Sequence, residues 1–326
     1  MKPIRRILVP IKDTRAQSLP AVAKAAQLAK GLGARVQLFH GIAERLYIDS
    51  SQLDHKELAQ LEESQRRERL EELEGIARGL RRRHLKVTTA VAWDFPAHEA
   101  ILRNARAFAA DLIVLDAHPA PHRAPWLLRF TDWELLRLSA VPVLLVKNRT
   151  AYRRPRVLAA VDPAHSFAKP VKLDQEILRC AALITDALNG ALHAVYAYDP
   201  MPIAVAPAQL GAPDAFPQLN ARIAARAAHE LERALRSTSI PPERRHVVGR
   251  HPIDVIEEVA DEIGSSIVVM GAISRSGLKR LIVGNTAEKV LDALACDILI
   301  VKPRAFHCPV ERAVQGARLI PIFVAP

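Results

Sequence analysis

The chain repeats itself, and that limits what it can fold into more than any other feature of its 326 residues. The opening stretch IRRILVPIKD (Ile4–Asp13) returns 150 residues later as RPRVLAAVDP (Arg154–Pro163), which sets Lys12 against Asp162. DLIVLDA (Asp111–Ala117) matches SIVVMGA (Ser266–Ala272), and VPVLLVK (Val141–Lys147) matches CDILIVK (Cys296–Lys302), both 155 residues apart. A repeat of this length predicts two similar domains, residues 1–150 and 151–303, each large enough for its own core, followed by a tail over 304–326.

Within each half, short apolar runs alternate with stretches of helical period. In the first half, strands are expected at Ile7–Ile11, Arg35–His40, Lys86–Ala92, Leu112–Leu115 and Val141–Val146. Helices are expected between them over Ser18–Lys30 with Gly31 as its stop, Leu53–Arg83, Pro96–Ala109 and Trp126–Ser139. Leu58, Leu61, Leu70, Leu73, Ile76 and Leu80 give the long second helix an apolar stripe, and its many charges read as a solvated face.

The second half follows the same plan, with strands Val157–Val161, Leu192–Tyr198, Arg245–Val248, Ile267–Met270 and Ile298–Val301. Its helices are expected over Asp174–Leu188, Asn220–Ser237, Pro252–Ile263 and Ala287–Ala295. Tyr152–Pro155 joins the halves. The proline-rich, apolar loop Asp199–Pro217 reads as a lid or pocket wall, with disorder as the alternative. Five short strands separated by helices call for an α/β fold, a doubly wound, Rossmann-like parallel sheet in each half. The apolar clusters Leu319–Ile320 and Ile322–Val324 suggest that the tail docks on the body.

Charge and cysteine content exclude several function classes. The formal charge of +11 could draw anionic partners, but no basic and aromatic RNA-binding signature accompanies it, and dedicated nucleic-acid binding is not expected. The longest apolar runs fall well short of the roughly 20 residues needed to cross a bilayer, so no membrane association is expected. Cys180, Cys296 and Cys308 are far apart, which indicates neither a disulfide framework nor a zinc site. The basic N-terminus is followed by too short an apolar run for an export signal, and a cytoplasmic protein is expected.

The stretch Val268–Lys302 carries the chemistry. A strand breaks at Gly271 into a basic loop holding Ser274, Arg275, Lys279 and Arg280, and the turn Gly284, Asn285, Thr286 then leads into a helix. Strand, glycine loop and helix N-terminus can surround an anion with backbone N–H groups, although the same glycines also read as ordinary turns. His118 and His122 cannot share a helical face across Pro119 and Pro121, so no metal is expected there. No G-x-S-x-G elbow is present, and no nearby base would activate Ser274 or Ser276.

LIVGNTAEKVLDALACDILIVKP and FTDWELLRLSAVPVLLVK, with Thr131, Asp132, Trp133 and Glu134, resemble universal stress protein domains. The tandem arrangement is similar to the E type of that family. The resemblance implies a five-stranded parallel sheet in each domain and pairing through the last strand, which two halves of one chain or a homodimer could supply. Nucleotide-binding members carry G-x2-G-x9-G-[ST] and an acidic residue after the first strand.

In the second half Asp162, Gly271 and Gly284 fit that pattern, while Ser274 stands at the second glycine and Asn285 at the hydroxyl. Asp162, Gly271, Ser274, Gly284, Asn285 and Thr286 are therefore the candidate binding residues. In the first half Lys12, Asp116, Pro119, Arg129 and Phe130 occupy the matching positions: Asp116 would repel a phosphate, Pro119 has no N–H to donate, Phe130 fills space, and Lys12 replaces the acidic residue. The resemblance thus implies a non-enzymatic stress protein that binds a small molecule or a protein and requires no cofactor, with ATP as a candidate ligand of the second half alone.

Overall fold

A computed structural model describes residues 3–43, 46–48, 55–117, 131–164, 173–198, 200, 215–271, 290–291, 293–313 and 319–321. They fall into two compact units, Lys2–Ala151 together with His307–Pro326, and Tyr152–Phe306.

The first unit runs β1 (Arg6–Pro10), α1 (Pro20–Leu32), β2 (Arg35–Ile42), β3 (Leu46–Ile48), α2 (His55–Arg81), β4 (Val87–Trp93), α3 (Ala97–Ala107), β5 (Leu112–Asp116), α4 (Thr131–Leu138) and β6 (Val143–Val146). Its parallel sheet has the order β4-β2-β1-β5-β6. Ile7, Leu8 and Val9 of β1 and Leu112, Ile113 and Val114 of β5 are fully buried, because helices cover both faces of the sheet. That is why these strands read as continuous apolar runs rather than as alternating ones.

The second unit runs β7 (Arg156–Ala160), α5 (Leu173–Ala187), β8 (Ala191–Ala197), α6 (Ala215–Leu235), β9 (Arg245–Val248), α7 (Pro252–Glu262), β10 (Ile267–Gly271) and β11 (Asp297–Val301). The strand order is β9-β8-β7-β10-β11, again all parallel. Cys180 on α5 is fully buried, and burial pushes its thiol up to about 12, as fits an inert core residue.

Several local expectations are corrected. Helix α1 runs through Gly31 and stops at Gly33, which takes the left-handed conformation (φ +63°) that other residues adopt at a cost. Leu61, assigned by its spacing to the apolar stripe of α2, is 37% exposed, whereas Leu73, Ala77 and Leu80 are buried. Only the later part of α2 therefore packs on the core. Most of the loop 199–217 lies outside the described residues, as do residues 287–289 and 292 of the expected helix 287–295, and α6 already begins at Ala215, inside that loop.

The tail folds back on the first unit. Arg103 Nε donates to the Glu311 carbonyl at 3.1 Å, and Arg106 Nη1 and Nη2 approach the Val310 carbonyl at 3.3 and 3.2 Å. A final strand, β12 (Leu319–Pro321), then pairs in parallel with β3. The sequence reading has neither β3 nor β12, since each is only three residues long.

Candidate functional site

In sheets of this kind ligands bind beyond the carboxyl ends of the strands, at the point where the strand order reverses. That point lies between β1 and β5 in the first unit and between β7 and β10 in the second. The two units furnish it differently.

In the second unit, Asp162 follows β7 and is half-buried, and its backbone N–H donates to Asp174 Oδ1 at 3.1 Å. Asp174 stands in the first turn of α5, so this bond ties the end of β7 to the start of α5. Gly271 closes β10 directly beneath that turn. A Cβ there would come within 2.6 Å of Leu173 Cδ2 and 3.2 Å of Ile177 Cδ1. Close helix-on-strand packing is thus a sufficient reason for this glycine. The structure places Asp162 and Gly271 on the two strands that flank the reversal point. Ser274, Gly284, Asn285 and Thr286 lie outside the described residues.

In the first unit, Asp116 occupies the position of Gly271 at the end of β5. Its Oδ1 accepts the Ala21 N–H in the first turn of α1 at 2.9 Å. The N-cap residue of that helix, Leu19, makes no side-chain cap. A carboxylate of the protein therefore sits where a helix N-terminus would attract an anion. The loop after β1 is fastened as well. Thr14 donates its hydroxyl to Glu72, and Arg15 reaches Glu72 through Nε at 2.5 Å and Glu68 through Nη2. Burial alone would raise the Glu72 carboxyl, but hydrogen bonds from Thr14, Arg15 and Arg69 outweigh it and hold the group at about 2. Lys12 is exposed. Pro119, Arg129 and Phe130 lie outside the described residues.

Sequence reasoning identified Asp116 as a group that repels phosphate and missed that it caps α1. Pro20 in the first turn of α1 marks the helix start, but nothing local to Leu19 indicates that its cap comes from 95 residues away.

A profile of the universal stress protein family matches residues 3–147 and again 155–302. The chain belongs to the universal stress protein family. It is a tandem member resembling the E type, 28% identical over 302 residues to universal stress protein E of Escherichia coli K12, covering 92% of this chain and 94% of that protein. Universal stress protein E of Photorhabdus laumondii is 27% identical over 94% of this chain and 98% of its own length. A functionally unknown protein from Pseudomonas aeruginosa PAO1 has a solved structure that superposes with a TM-score of 0.70 at 25% identity, covering 92% of this chain and 93% of that one. A universal stress protein from Archaeoglobus fulgidus, at 17% identity and a TM-score of 0.62 over 91% of this chain and 96% of its own, shares the fold.

Among the described residues no group of three or more His, Cys, Asp or Glu side chains could hold a metal, and no helix is long and apolar enough to cross a membrane. His193 on β8 and His246 on β9 come close to forming a metal pair, but their geometry argues otherwise. Nδ1 and Nε2 are 3.2 Å apart with ring centroids at 5.5 Å and planes 18° apart. The two nitrogens therefore lie on the line between the centroids. One nitrogen donates its N–H to the lone pair of the other in an N–H···N hydrogen bond, so the pair does not offer two lone pairs converging on a third point.

Burial first, then the neighbouring His246 and the charges of Arg244 and Arg156, lower His193 to about 4. Burial also lowers His246, against the opposing pull of Glu262. Both rings are held neutral by the fold, so their contribution to stability is complete above the ordinary histidine value of about 6.5 and is lost as pH falls from there toward about 4. Urea denaturation at stepped pH should show this loss in the wild type. His193→Asn should flatten the curve between those limits, and an unchanged pH slope would contradict the assignment.

Proposed function

We propose that this tandem universal stress protein acts without a catalytic cycle, by binding a small molecule or a protein partner during stress, and that any nucleotide it holds is held by the second domain. One contrast carries the reading. At the reversal point of the first sheet Asp116 already occupies the helix N-terminus, while the second sheet ends there in Gly271 beside Asp162. The second reading, an adenine-nucleotide binder or slow ATPase using residues 151–303, is supported by that same Asp162 and Gly271 pair, with Ser274, Gly284, Asn285 and Thr286 completing the proposed cradle.

Thermal denaturation with ATP and Mg²⁺ tests both readings. Any rise in melting temperature should disappear in Asp162→Ala and in Gly284→Trp, with no phosphate released above the protein-free rate. Turnover by the wild type would reject the non-catalytic reading. A thermal shift that survives in both variants would reject the second-domain site.

A further inference from the structure

The charges of α2 divide into two groups. Arg81 is engaged, with Nη1 at 2.6 Å from Glu74 and Nε donating to the Val87 carbonyl at 3.0 Å, and Arg69 reaches Glu72 at 3.0 Å. Arg82 and Arg83, in the turn that follows the helix, are exposed and make no ion pair among the described residues. They line a groove of about 430 Å³ between α1 and α2. Its floor is apolar, made by Leu19, Val22, Ile76 and Leu80, with Leu19 and Ile76 only half-buried. The groove shares no lining residue with the strand-end positions Asp116, Asp162 and Gly271.

A glycine keeps this groove open. Gly79 lines it from the interior of α2, where glycine stabilises a helix less than alanine does. A Cβ at Gly79 would meet nothing closer than Arg82 Nη2 at 4.0 Å, and one at Gly75, one turn earlier, nothing closer than Arg78 Nη2 at 3.9 Å. Among the described residues, packing requires neither glycine. Gly79, which lines the groove, is accounted for if a partner must approach the helix backbone closely.

We propose that this groove docks an acidic amphipathic helix of a partner protein, with the helix's apolar side chains on the floor and its carboxylates on Arg82 and Arg83. The walls are helices, whose main-chain groups are bonded internally, so they offer no strand edge to an extended peptide, whereas two neighbouring helices form a natural seat for a third. Planar guanidinium groups match carboxylates with paired hydrogen bonds. No aromatic side chain lines the groove, which leaves nothing for nucleic-acid bases to stack on.

The test uses the full chain and a fluorescein-labelled peptide of about 18 residues, long enough to hold a helix, with leucines at i, i+3, i+4 and i+7 and glutamates on its flanks. A twin peptide carries lysine in place of glutamate. Fluorescence anisotropy should show saturable binding of the glutamate peptide and none of the lysine twin. Arg82→Glu combined with Arg83→Glu should weaken it about tenfold or more, roughly 1.4 kcal/mol or more. Gly79→Leu, which fills the groove and favours the helix, should abolish binding without lowering the melting temperature.

Failure of the glutamate peptide to saturate, equal binding of both peptides, or unchanged affinity in the variants would overturn the proposal. So would binding to phosphatidylglycerol vesicles that the same variants abolish, since the groove would then be a membrane contact. None of these outcomes bears on the nucleotide reading, which involves other residues.

Discussion

Arg103→Met is expected to remove about 3–5 kcal/mol from the stability of the first unit, the usual effect of taking one partner from a buried ion pair. Arg103 is 7% exposed and Asp94 1%. Nη1 lies 2.6 Å from Asp94 Oδ2, Nη2 meets Glu99, and Nε holds the Glu311 carbonyl of the tail. Methionine preserves most of the volume but removes the guanidinium from the buried Asp94 carboxylate. Urea denaturation followed by far-UV circular dichroism would measure the loss, read from the transition of the first unit because two compact units need not unfold together. Combining Arg103→Met with Asp94→Asn should cost less than the sum of the two single changes, since the two groups interact directly. The tail should also become a protease target near residue 310. A loss below about 1 kcal/mol, the worth of an exposed pair, would show that Arg103 does not bind the unit together.

Tyr152→Phe is expected to cost about 1–3 kcal/mol, the penalty for leaving a buried polar group short of a partner. Tyr152 begins the second unit and is 8% exposed; its hydroxyl donates to Asp297 Oδ2 at the start of β11, where Asp297 is fully buried. Burial first, then the Asp297 carboxylate, push the tyrosine well above its ordinary range. Neutral tyrosine is the form the fold requires. Its stabilising contribution is therefore complete below the unfolded value of about 10 and is lost as pH rises beyond it. The phenylalanine variant should be less stable than wild type at neutral pH and should lose less on going above pH about 10. Equal alkaline slopes in the two proteins would separate Tyr152 from that titration.

The alternation of helix and strand was legible because each buried strand is an apolar run and each covering helix has a stripe of its own period. The duplication then supplied two copies of the pattern to read against each other. What stayed illegible depends on tertiary contact. Gly31 and Gly33 are equally good helix stops in sequence, and only the chain's exit toward β2 selects Gly33. Gly190 sits after α5 where a helix stop would, but the left-handed position is Asn189 (φ +50°), and Gly190 is needed because a Cβ would lie 2.3 Å from the Pro155 carbonyl oxygen. Tyr152 looked like part of a joint, since its partner Asp297 lies 145 residues on.

At the candidate site, spacing and resemblance named Asp162, Gly271 and Asp116, and the fold sets all three at the reversal points of the two sheets. Sequence could not distinguish a glycine that admits a ligand from one that admits Leu173, because both need only a missing Cβ. Nor could it show that Gly79 lines a groove, a fact that exists only once residues of α1 and α2 come together.

The account rests on the two sheets being furnished differently where ligands of such folds bind, with Asp116 occupying the first and the second left to Asp162 and Gly271. Counting bound nucleotide per chain by native mass spectrometry, across an ATP and Mg²⁺ titration, addresses this most directly. The predicted result is a stoichiometry that never exceeds one, with any occupancy lost in Asp162→Ala. Two nucleotides bound per chain with similar affinity would contradict it.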